Sequence, residues 1–130
     1  MYEQTTQGIC VSVQPSFLET HSAPDDGRFV WAYSIRIENQ GRQSVRLMTR
    51  HWRITDARGE IQEVDGDGVV GEQPVIDPGG SFEYTSGAPL ATPSGFMVGS
   101  YCMETVAGES FVVEIPAFSL DSPYLQTPIH

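Results

Sequence analysis

Apolar and polar residues alternate with a period of two along several short stretches, each bounded by glycine, proline or asparagine. This pattern marks half-buried strands of antiparallel sheets. In residues 28–38, Phe29, Trp31, Tyr33, Ile35 and Ile37 share one side, with Val30, Ala32, Ser34, Arg36 and Glu38 on the other. Residues 8–18 repeat the pattern with Ile9, Val11 and Val13. Further strands are predicted at 44–55, 60–64, 81–85, 96–104 and 110–115. Asn39-Gln40-Gly41 and Asp56-Ala57-Arg58-Gly59 supply tight turns, because Gly and Asn tolerate positive φ. About seven short strands and no amphipathic helical stretch predict an all-β chain, an immunoglobulin-like or fibronectin type III-like antiparallel β-sandwich.

The third predicted strand contains a phase slip. Val45 and Leu47 place apolar residues at odd positions, whereas Met48, Trp52 and Ile54 place them at even ones. Strict alternation cannot bury both sets on one face. A β-bulge between about Leu47 and His51 reconciles them, by inserting one residue that re-aims the side chains that follow. Bulges are frequent beside functional sites, so Arg50 and His51 become the candidate partner-binding residues: a cation and a titratable donor suited to a carboxylate. Trp52 reads as core, and its truncation to alanine is expected to destabilise far more than Arg50→Ala.

Length and composition narrow the function. The 130 residues suit one domain spanning 1–130, with frayed ends expected at 1–7 and 117–130. The net charge is −10 and every one of the seven basic residues is arginine, which rules out lysine-dependent chemistry. An acidic surface opposes phosphate binding, so nucleic acid is not an expected partner. No basic, apolar leader opens the sequence and no apolar run is long enough to span a bilayer, so cytoplasmic residence without membrane insertion is the expectation. In that reducing compartment Cys10 and Cys102 are expected as free thiols.

The region 65–80 is rich in glycine and carboxylates and reads as a long irregular connection. Its Gly66, Gly68 and Gly71 match G-x-G-x-x-G letter for letter. Pyrophosphate cradles of that type open a helix and are followed about 20 positions later by an acidic residue. Here Pro74 opposes a helix, the residue at that distance is Ala91, and Asp65 and Asp67 repel phosphate. A glycine loop between strands is therefore the expected reading. Asp65, Asp67 and Glu72 are weak candidates for magnesium or cobalt, since hard cations take oxygen ligands. Cys10, Cys102, His21, His51 and His130 lack zinc-ligand spacing. No nucleophile elbow accompanies His51, so no enzyme activity and no cofactor are expected.

The segments Thr49-Arg50-His51-Trp52-Arg53-Ile54-Thr55-Asp56, Gly68-Val69-Val70-Gly71-Glu72-Gln73-Pro74 and Phe82-Glu83-Tyr84-Thr85-Ser86-Gly87 resemble the bacterial ApaG family. The resemblance runs from Val11-Ser12-Val13-Gln14-Pro15 through Tyr101-Cys102-Met103 to Ile115-Pro116-Ala117-Phe118. It implies a fibronectin type III-like sandwich and an association with cobalt resistance and magnesium efflux. Similar domains in a eukaryotic F-box protein and a DNA-polymerase-interacting protein resemble protein-interaction modules. The family supplies no catalytic residues to carry over. The resulting expectation is a non-catalytic module that binds an as yet unidentified protein. The alternative is a small-ligand or divalent-cation protein using the acidic glycine-rich loop 65–80.

Overall fold

The computed structural model describes residues 1–124. His130 and the rest of the expected tail beyond Tyr124 lie outside the described residues. Nine strands run in chain order: β1 (Tyr2–Thr6), β2 (Ile9–Phe17), β3 (Phe29–Asn39), β4 (Val45–Asp56), β5 (Ile61–Asp67), β6 (Val75–Ile76), β7 (Ser81–Leu90), β8 (Gly95–Thr105) and β9 (Ser110–Leu120). The helical segments among the described residues are two short 3-10 turns, Glu19–His21 and Pro24–Asp26. Among the described residues, no helix is long and apolar enough to cross a membrane.

The strands form two antiparallel sheets, β1-β2-β3-β7 and β5-β4-β8-β9, with β6 paired to β4. Their inner faces make the core. Trp31, Ile35 and Ile37 face in from β3, and Leu47, Met97, Tyr101, Met103 and Phe118 from the second sheet. The sheets lock through a ring cluster in which Tyr33 meets Trp52 at 5.4 Å and Phe118 at 5.8 Å. Cys10 is buried and Cys102 half-buried, both as free thiols. They lie on strands of different sheets and alternate with core residues, so they point away from each other across the sandwich.

The phase slip in β4 is a bulge. Its register on β8 shifts between Leu47 and Thr49, leaving Met48 as the extra residue. The displaced Met48 carbonyl accepts hydrogen bonds from the Gly68 amide at 2.8 Å and the Gln73 side-chain amide at 2.9 Å. The bulge is thus held in place by the loop that follows β5.

The chain ends differ from expectation. Residues 2–6 form β1, paired to β2 from Tyr2↔Val13 to Thr6↔Ile9, and residues 117–120 continue β9. Both corrections have one cause: β1 covers the edge of β9. Thr6 Oγ1 accepts from the Glu114 amide and Tyr2 Oη from the Ser119 amide, each at 3.3 Å. The Tyr2 ring also packs on Phe118 at 6.1 Å. Pro116 does not stop β9, because the register slips there, between Met97/Phe118 and Gly99/Ile115, and a proline fits at such an irregularity. The connection 65–80 is also more regular than expected, since β5 extends through Asp67 and β6 lies within it.

Candidate functional site

The two flanks of the sandwich differ. On one, β1 and β2 pack against β9 and close the gap between the sheets. On the other, β7 ends the first sheet and β5 ends the second. Two cavities lie between them, of about 300 Å³ beside Tyr33, Arg50 and Ser86 and about 240 Å³ beside Ile54, Gln62 and Leu90.

Backbone pairing shows which groups these edges leave free. The Asp56 amide donates to the Glu60 carbonyl at one end of the β4–β5 ladder, and the Gly68 amide to the Met48 carbonyl at the other. Hydrogen-bonded pairs alternate along an antiparallel ladder, so Gln62, Val64 and Gly66 bond to β4. Ile61, Glu63, Asp65 and Asp67 direct their backbone groups outward. The Asn39 amide donates to the Gly80 carbonyl, and the same alternation turns Ser81, Glu83, Thr85, Gly87 and Pro89 of β7 outward. Pro89, which has no N–H, occupies one of those free positions.

Arg50 enters this mouth because of the bulge. After Met48 the even residues of β4 face inward, which buries Trp52 and turns Arg50 toward the cavity. Of the seven arginines it alone is not exposed. Arg50 Nη1 donates to the carbonyls of Asp67 at 3.1 Å and Gly68 at 2.9 Å. It stands directly opposite Gly66 in the ladder. A Cβ at Gly66 would lie 2.6 Å from Nη1 and 2.7 Å from Cζ, so the absent side chain makes room for the guanidinium.

The other two motif glycines also serve this turn. Gly68 has φ +59°, and a Cβ there would come within 2.0 Å of the Glu72 carbonyl oxygen. Gly71 has φ +81°. G-x-G-x-x-G therefore closes a strand-end turn around an arginine, and among the described residues no helix follows it. Between the last two glycines, Val70 takes φ +44° while 55% exposed. A β-branched residue in that region is strained by about 1–3 kcal/mol, and such strain clusters at functional sites.

Three phenols surround the guanidinium. Tyr33 and Tyr84 line the cavity, and Tyr84 Oη meets Tyr101 Oη at 2.5 Å. Burial raises all three above the usual tyrosine value, while Arg50 pulls each of them down. The phenols stay neutral at physiological pH and supply no counter-charge to Arg50.

His51, expected to act beside Arg50, faces the opposite side of β4. Its Nδ1 lies 2.6 Å from Asp65 Oδ1 and its Nε2 3.8 Å from Glu63 Oε1. Neighbouring strand residues point to opposite faces, so the two candidates cannot form one surface. Asp65 is thereby engaged with His51, and Asp67 and Glu72 do not join it: among the described residues no group of three or more His, Cys, Asp or Glu side chains is placed to hold a metal ion. A larger cavity of about 570 Å³ lies on the outer face of the first sheet, but its cation, Arg36, already pairs with Glu38 and Glu83 at 3.2 Å each.

Comparison with known proteins places this architecture. The family model described as "ApaG domain" matches residues 19–105. "Protein ApaG" of Rhodospirillum centenum is 63% identical over 124 residues, covering 95% of each chain. "Protein ApaG" of Methylorubrum populi is 58% identical over 130 residues, covering 100% of both. A crystal structure titled as the putative ApaA protein from Bordetella pertussis superposes with a TM-score of 0.87 at 44% identity, covering 90% of this chain and 95% of that one. The all-β, two-sheet architecture agrees with the solved structure, and on the family model and these full-length relatives the chain belongs to the ApaG family.

Proposed function

We propose that this chain is a non-catalytic, cytoplasmic protein-binding module that takes an extended segment of a partner along the mouth between β5 and β7. The observation that carries this reading is the asymmetry of the flanks. One free edge is covered by β1, whereas the other two flank open cavities and present unpaired backbone groups. Proteins usually protect such edges, and an extended peptide can pair with them while its alternate side chains enter pockets. The dispersed carboxylates do not favour an ion site, so any link to cobalt or magnesium would run through the docked partner.

Affinity capture from cell lysate tests this. The native chain should retain a stoichiometric partner, and Glu63→Pro or Thr85→Pro should lose it. Each substitution removes an outward N–H and one exposed side-chain contact, Glu63 with His51 or Thr85 with Ser34, so both variants should melt within a few degrees of the native chain. Equal retention by native and proline variants would contradict the reading.

A further inference from the structure

We propose that the cleft at Arg50 is a carboxylate pocket, which seats a carboxylate carried by the docked segment. The inference rests on the docking reading and adds the chemistry that anchors the segment.

Arg50 is fixed but only partly used. Nη1 is held by two backbone carbonyls, while Nε and Nη2 have no hydrogen-bond partner among the described residues. The ion pairs among the described residues involve Arg36 and His51, not Arg50. A half-buried cation without a counterion is unusual in a chain of net charge −10. Gly66 and the bulge are two departures from regular strand structure that place it there. The neutral hydroxyls of Tyr33 and Ser86 add polar contacts on the first-sheet wall, and Trp52 and Val69 add apolar surface.

A planar guanidinium with one nitrogen committed still offers donors along its remaining edge, the arrangement that grips a carboxylate with two oxygens. Charge decides against phosphate. Arg50 is the cleft's one cation and the chain around it is acidic, both of which penalise a dianion more than a monoanion. The volume of about 300 Å³ admits a carboxylate with a short apolar stem and lies at the lower end for ligand pockets.

The test is titration of the full chain, followed by ¹H–¹⁵N spectra, with four probes. N-acetyl-leucine offers a main-chain carboxylate, N-acetyl-glutamic acid α-amide a side-chain carboxylate, N-acetyl-leucine amide neither, and inorganic phosphate the competing anion. At least one carboxylate probe should give saturable shifts at Arg50 Nε, the Trp52 indole and the Val69–Gly71 amides, and the one that does identifies the source. Arg50→Gln and Arg50→Lys should each weaken it by about tenfold or more. Glu63→Pro should leave the titration unchanged. The inference is overturned if neither carboxylate saturates, if both Arg50 variants bind as the native chain does, or if phosphate saturates where carboxylates do not. A lysate partner lost from Glu63→Pro while the native chain ignores both carboxylates would overturn this inference and leave the docking reading standing.

Discussion

Gly66 and Arg50 form one device, and a double-mutant cycle measures it. In the native background, Gly66→Ala places a Cβ 2.6 Å from Nη1, so the guanidinium must leave its position. The obstructing atoms end a flexible side chain, so the strand survives and the loss is the bonds to the Asp67 and Gly68 carbonyls. Net charged hydrogen bonds contribute about 1.5–3 kcal/mol when buried; for this half-exposed group we take about 1–2 kcal/mol for the pair. Alanine within a strand returns about 0.5–1 kcal/mol over glycine through reduced unfolded-state entropy. Gly66→Ala should therefore destabilise the native chain by about 0.7 kcal/mol, within a span of roughly 0–1.5 kcal/mol. With Arg50→Gln already present the obstruction is gone, and the same change should stabilise by about 0.5–1 kcal/mol. Chemical denaturation of the four chains reads this sign reversal. An equal effect of Gly66→Ala in both backgrounds would refute the coupling and return Gly66 to the role of an ordinary loop glycine.

Two further outcomes follow from the core. Trp52→Ala, at a position 3% exposed and packed on Tyr33 and Phe118, should cost about 3–5 kcal/mol in denaturant unfolding, and a loss below about 1 kcal/mol would contradict its core placement. Burial raises the Tyr84 and Tyr101 phenols above the usual tyrosine value of about 10, so the folded chain keeps their protons where the unfolded chain releases them. Their contribution is fully present below pH 10 and is lost as pH rises above it, at about 1.4 kcal/mol per pH unit per phenol. Unfolding followed from pH 9 to 12 should show that decline, and Tyr84→Phe with Tyr101→Phe should flatten it.

Much of the fold was legible because its core strands alternate cleanly. The run from Phe29 to Ile37 is buried at every odd position. The bulge was legible as well, since Leu47 and Trp52 cannot share a face without one. β1 was not: Tyr-Glu-Gln-Thr-Thr has no apolar face, and its order comes from Tyr2 and Thr6 meeting β9 more than a hundred residues away. β6 is two residues long, too short to carry a period. The site was only half legible. The bulge pointed to Arg50 as a candidate and the structure turns it toward the cleft, but pairing it with His51 overlooked that adjacent strand residues diverge. Arg50 also holds two backbone carbonyls, a structural role that no local pattern encodes. The glycine motif invited a phosphate reading because its partner stands across a strand, at Arg50, and spacing within the motif cannot reveal that.

Amide hydrogen exchange on the full chain, with and without the captured partner, tests the docking claim most directly. The account predicts that partner binding protects the outward amides of Glu63, Asp65, Asp67, Glu83, Thr85 and Gly87, while β8 and β9 exchange as before. Protection confined to β8 and β9, with β5 and β7 unchanged, would contradict it.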